Sequence, residues 1–173
     1  MHQGTLADAA LPPDAFDLVY LGDVLEHVPD CRATLSEVVR VLAPGGHVVI
    51  RGPITTHSLA RRLGLALYEA LGRDIVLREP PYHLWEFRPA SLARLARTVG
   101  LDVVAIEQSK IPPGRPHGEK SALQSLVMRA LDTLNAPLTA AFNVLGDRAL
   151  LVARKPTPWA EPRPLLVTAR EGA

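Results

Sequence analysis

The chain holds one cysteine, Cys31, so no disulfide can close within it, which fits a reducing compartment. Long apolar runs are missing as well. Nothing approaches the roughly 20 consecutive residues that cross a bilayer, and the N-terminus carries neither the basic start nor the apolar core of a secretion signal. A cytoplasmic location without a membrane span is the expectation. Excess charge of one sign is also lacking: nineteen Lys and Arg face eighteen Asp and Glu, a formal net charge of +1. That balance gives no electrostatic reason for a nucleic-acid partner, and Arg61, Arg62, Arg73, Arg78, Arg94 and Arg97 are interspersed with acids and apolar positions, as on solvated helix faces. Six histidines are present, yet no His, Cys, Asp or Glu set shows a recognisable ligand spacing along the chain, so no metal is expected. A small-molecule partner fits this composition better than a polymer.

What is present is apolar material in regular patterns. With 173 residues, 47% of them hydrophobic, the chain can bury one continuous core. The expected division is one domain over residues 1–155 and a flexible tail over 156–173, where prolines stand at 156, 158, 162 and 164. Leu18 to Leu21 is apolar at every position, which predicts a central strand covered on both faces. Asp30 is a plausible N-cap for a helix whose Leu35, Val38, Val39 and Leu42 share one face. Pro44-Gly45-Gly46 should stop that helix, and Val48-Val49-Ile50 should form the next strand. A second helix is expected to bury Leu59, Leu63, Ala66, Leu67, Ala70 and Leu71, with Thr56 or Ser58 as cap. Pro89 opens a third, ending at Gly100. Val103 to Ile106 reads as a strand, Leu123 to Leu134 as a helix, and Ala149 to Ala153 as the last strand. The order is strand, helix, strand, helix, helix, strand, helix, strand, an α/β layout.

Phe16-Asp17-Leu18-Val19, Asp23-Val24-Leu25-Glu26-His27-Val28-Pro29-Asp30, Arg40-Val41-Leu42-Ala43-Pro44-Gly45-Gly46 and His83-Leu84-Trp85-Glu86-Phe87 follow one another in an order that resembles class I S-adenosylmethionine-dependent methyltransferases. The resemblance spans roughly Gly4 to Lys155. It implies a partial Rossmann-like sheet whose four strands match the fourth to seventh of the family's seven, the last lying antiparallel between the fifth and sixth. The family's glycine-rich turn and first strands have no counterpart upstream. The expectation is therefore a C-terminal part of the domain, with weak or absent cofactor binding by the isolated polypeptide and an unpaired sheet edge open to a partner chain or to self-association.

Residue by residue, the resemblance implies that Thr5 and Leu6 hold the adenine of S-adenosylmethionine, and that Leu21, Gly22 and Asp23, just beyond a strand's C-terminal end, back its methionine part. Glu26 and His27 should open the next helix facing cofactor and substrate. His27 is the candidate to take a proton from the acceptor, since imidazole titrates near neutrality. His57, His83 and Trp85, with Glu26, are candidates for the acceptor pocket. Arg88 stands where relatives favour a Ser or Thr cap. Cys31 lies near a helix N-terminus, which lowers a thiol pKa, but no paired base accompanies it and an inert thiol is expected. The expected function is methyl transfer to a small-molecule acceptor. The alternative is a non-catalytic interaction module or one half of a split enzyme.

Overall fold

The computed structural model describes residues 3–54, 59–72, 83–110 and 122–157. Thr55, Thr56, His57 and Ser58, the segment 73–82 and the proline-rich stretch 158–173 lie outside the described residues. The elements are β1 (Phe16–Gly22), a 3-10 turn (Leu25–His27), α1 (Cys31–Val41), β2 (Leu42–Pro53), α2 (Leu59–Ala70), α3 (Pro89–Thr98), β3 (Asp102–Ser109), α4 (Ala122–Phe142) and β4 (Arg148–Arg154).

The four strands form one sheet in the order β1-β2-β4-β3. β1 runs parallel to β2, while β4 is antiparallel to both β2 and β3. The final strand thus inserts between its predecessors, as expected. Register places Val19 beside Val48 and Leu21 beside Ile50, and Val48 beside Ala153 and Ile50 beside Leu151. Since alternate strand residues share a face, these side chains line a single surface. They pack there with Leu35 and Val38 of α1 and with Leu92, Ala93 and Ala96 of α3 in one apolar core.

α1 forms where its periodicity says it should. The Asp30 carboxylate accepts from the Ala33 N–H at 2.8 Å, satisfying one of the orphan donors of the first turn. The helix ends at Val41, before Pro44, because Leu42 is already extended at φ −69° and ψ 135°. Pro44-Gly45-Gly46 therefore lies inside β2 rather than at the helix end. Gly45 sits at φ +81°, and a Cβ on Gly46 would lie 2.8 Å from the Ala43 carbonyl oxygen, so both glycines are required by backbone geometry. Lys155 fastens this corner by donating its Nζ to Asp14 at 2.6 Å and to the Leu42 carbonyl at 2.7 Å. At the start of α3, Ser91 supplies the cap chemistry that Arg88 lacks: its hydroxyl accepts from the Arg88 N–H at 2.9 Å.

Three further expectations are corrected. β1 is an edge strand of the sheet and not a central one. Its Leu18 is 59% and its Tyr20 56% exposed, whereas Val19 and Leu21 face the core. An all-apolar run was read as double coverage, but among the described residues only one face of β1 is covered. Second, Leu63, Leu67 and Leu71 are exposed rather than buried, because α2 lies against α4 and not on the sheet core. Third, Glu26 and His27 stand in the separate 3-10 turn, not at the head of α1. Among the described residues no helix is long and apolar enough to cross a membrane.

Candidate active site

The site grows from the C-terminal end of β1. Gly22 closes the strand, and the next residue, Asp23, takes φ +53°, a left-handed conformation that Asp tolerates better than most side chains. The Asp23 N–H donates to the Arg51 carbonyl at 2.8 Å, tying the loop to β2, and its carboxylate lies 3.4 Å from the Arg148 guanidinium of β4. The turn is thus held from β2 and from β4 beyond it. A Cβ on Gly22 would fall 2.6 Å from the Tyr20 ring, so Gly22 is bare because a tyrosine ring lies over it.

The 3-10 turn follows immediately. Leu25 is buried in the core, and Glu26 is only 2% exposed. The segment from His83 to Phe87 folds back onto this turn: Leu84 and Trp85 donate their N–H groups to the Glu26 carbonyl at 2.8 and 3.3 Å. The Trp85 indole N–H reaches the Val28 carbonyl at 2.8 Å. This three-point latch brings His83 against His27, with ring centroids 5.0 Å apart at an interplanar angle of 69°. Glu26, His27 and His83 come together so that one ligand-type atom from each lies within 4.8 Å of the others. Beside them, Leu25, Glu26, Ile50, Gly52, Ile54, Phe87 and Leu92 line a crevice, and the Glu26 carboxylate faces the position a Gly52 Cβ would fill, at 3.4 Å.

Of the residues singled out in the sequence, Leu21, Gly22, Asp23, Glu26, His27, His83 and Trp85 thus fall in one region at the end of β1 or on the segment latched to it. Thr5 and Leu6 occupy a separate turn. The Thr5 hydroxyl donates to Asp8 at 2.6 Å and the Thr5 N–H to the same carboxylate at 2.7 Å, while Leu6 packs against the core. His57 lies outside the described residues. The lowered thiol pKa suggested by the position of Cys31 is not found: burial pushes the pKa up, with the Asp30 carboxylate adding to the rise, in line with the inert thiol expected there. Its Sγ donates to the Leu25 carbonyl at 3.2 Å, so desolvation outweighs the helix N-terminus and the thiol is a core group. Sequence reasoning missed Arg148 and the inward face of Gly52. Nothing in local spacing marks either one, because Arg148 meets Asp23 only through the pairing of β4 with β2.

An α/β sheet with a reversed last strand, carrying a latched loop at the C-terminal end of its first parallel strand, belongs to the Rossmann-like class, in which ligands sit at strand ends. A family model described as a methyltransferase domain matches residues 1–106, and the chain belongs to that family. It is 36% identical over 98 residues to a ubiquinone biosynthesis O-methyltransferase of Ralstonia nicotianae, covering 54% of this chain and 39% of that one. It is 31% identical over 100 residues to the protein of the same description from Cupriavidus pinatubonensis, covering 56% and 38%. The chain thus spans about two fifths of the length of these curated relatives. A SAM-dependent methyltransferase structure from Archaeoglobus fulgidus superposes with a TM-score of 0.52 at 17% identity, over 90% of this chain and 66% of that one, which shows the shared fold.

Proposed function

We propose that this chain forms the acceptor-facing part of an S-adenosylmethionine-dependent methyltransferase that transfers the sulfonium methyl group to an oxygen atom of a small molecule. The observation that carries this reading is the family match over residues 1–106, a span that includes the loop in which Gly22, Asp23, Glu26 and His27 follow a parallel strand. The description of its relatives as O-methyltransferases supports oxygen as the acceptor atom.

In this reading Thr5 and Leu6 contact the adenine, and Leu21, Gly22 and Asp23 border the methionine moiety. Glu26, His57, His83 and Trp85 wall the acceptor pocket. When bound, S-adenosylmethionine would supply an electrophilic methyl group to the acceptor oxygen, and His27 would take the hydroxyl proton. Positioning supplies much of the rate, because the sulfonium is already an activated donor. The latch of Trp85 and Leu84 onto the turn fixes where the two imidazoles stand.

Bound cofactor needs walls on several sides, and among the described residues none stands at the outer edge or the exposed face of β1. The isolated chain therefore binds S-adenosylmethionine weakly, and a partner chain, or a second copy, completes the sheet through main-chain pairing. Calorimetric titration of the chain with S-adenosylmethionine tests this. Weak or undetectable heat is expected from the chain alone, and saturable micromolar binding by the monomer would overturn the incomplete-site reading. If no added methyltransferase strand segment restores binding or S-adenosylhomocysteine formation, or if His27→Ala leaves restored turnover unchanged, the roles assigned here fail.

A further inference from the structure

We propose that Arg148 recognises a carboxylate group on the methyl acceptor, an assignment that rests on the methyltransferase reading for the acceptor itself. The observation behind it is a largely buried guanidinium whose hydrogen bonds are not made. The Arg148 side chain is 23% exposed, and its Nε is buried with no acceptor. Among the described residues the partner of the group is the Asp23 carboxylate, 3.4 Å from Nη2. Charge-assisted N–H···O bonds close at about 2.7–2.9 Å, so Asp23 offsets the charge without satisfying the donors. A cation held this far out of water calls for a closer anion. Lys110, one residue past the Ser109 that pairs with Arg148, shows the contrast: its Nζ meets the Asp147 carboxylate at 2.7 Å.

Arg148 opens β4 opposite Pro53 of β2 and Ser109 of β3, at the C-terminal ends of those strands, where open α/β sheets place ligands. Its side chain reaches from β4 over the end of β2 to Asp23, so the guanidinium lies on the β2 and β4 side of the loop assigned to the methionine moiety. An acceptor whose oxygen meets the methyl group there extends its remaining groups over those same strand ends. Arg51 of β2 pairs with Leu150 of β4 and with Gly22 of β1, which puts it on the sheet face of Arg148 and adds a second cation for an anion to meet. The loop itself does not depend on Arg148, because the Asp23 N–H already bonds to the Arg51 carbonyl at 2.8 Å. Asp23 is instead a resident counter-ion that a better-placed carboxylate displaces, since a guanidinium edge gives a carboxylate two parallel N–H bonds.

The probe is salicylate, which carries both a hydroxyl and a carboxylate, titrated into the full chain and followed by proton–nitrogen NMR at the Arg148 Nε–H and the Asp23 amide. Salicylamide is the uncharged match. Expected are saturable shifts with salicylate and affinity for salicylamide weaker by about tenfold or more. Arg148→Gln should lower salicylate affinity by about the same factor and leave salicylamide affinity unchanged. Asp23→Asn removes the competing carboxylate while keeping a side chain that tolerates the left-handed backbone, and should raise salicylate affinity; a pair that only braces the loop predicts a loss instead. If Arg148→Gln does not fold, Asp23→Asn decides alone. No saturable shift, equal affinity for the two probes, or salicylate affinity unchanged in Arg148→Gln or not raised in Asp23→Asn overturns the proposal. Arg148-dependent binding of methionine in place of salicylate would give the guanidinium to the cofactor and overturn the acceptor assignment. None of these readouts uses S-adenosylmethionine or turnover, so failure here is distinguishable from failure of the methyltransferase reading.

Discussion

Two glycines show how the same substitution should have opposite weight at different positions. A Cβ on Gly46 would meet the carbonyl oxygens of Ala43, Phe16 and Asp17 at 2.8, 3.1 and 3.2 Å, all backbone atoms that cannot move without disturbing β1 and β2. The atoms nearest a Cβ on Gly22 would all be those of the Tyr20 ring, the free end of a half-exposed side chain. Gly46→Ala should therefore cost about 1–3 kcal/mol, as overpacking does, and Gly22→Ala less than about 0.5 kcal/mol, read from urea midpoints. Equal costs would mean that Tyr20 is pinned over Gly22 more firmly than its exposure implies. The residues themselves were legible in the sequence as turn and approach positions, but which atoms crowd them was not, since that depends on strand neighbours. Cys31 makes the same point: its place beside a helix start is local information, while the burial that raises its pKa is a property of the assembled core.

At the level of elements, the start and buried face of α1 were read correctly because their signals are local and agree, whereas its end was not, since Leu42 already belongs to β2. Asp30 caps the helix, and Leu35 and Val38 recur on one face and are fully buried. Arg40 holds the last turn by donating to Glu37 and, through the same guanidinium, to the Leu11 carbonyl at 2.6 Å. That contact holds the Glu37 carboxyl pKa below its usual range. Asp30→Ala should cost about 1 kcal/mol, and Asp30→Ser, which keeps a side-chain acceptor, should recover most of it in the same denaturation series. Recovery failing would assign the cost to something other than the Ala33 N–H. α2 was misread because periodicity reports that a helix has an apolar face without saying what the face meets. Leu63, Leu67 and Leu71 point outward, though their spacing is that of a core stripe. The candidate site was half legible for a similar reason. Glu26 and His27 are neighbours in a motif, but His83 reaches them only because Trp85 bonds to Val28 across 57 positions of chain, and no spacing rule anticipates that.

For the whole molecule, the telling asymmetry is between the two faces of β1. Val19 and Leu21 join the core, whereas Leu18 and Tyr20 stand bare on a strand with no partner on its outer side among the described residues. The sequence pattern was right that every position here is apolar, and an apolar outer face on an edge strand is what natural proteins otherwise avoid. Unpaired N–H and C=O groups beside exposed leucine and tyrosine offer both main-chain pairing and apolar burial to an incoming strand. The isolated chain should therefore self-associate as its concentration rises, measured by sedimentation velocity or light scattering. Leu18→Lys with Tyr20→Lys should shift it to monomer, because two charges on that face disfavour a strand docking there, while the thermal midpoint of the monomer changes little since neither side chain is in the core. A double variant that associates as strongly as the parent would place the contact elsewhere, with the exposed leucines of α2 and the Leu134, Leu138 and Phe142 stripe of α4 as the next surface to charge.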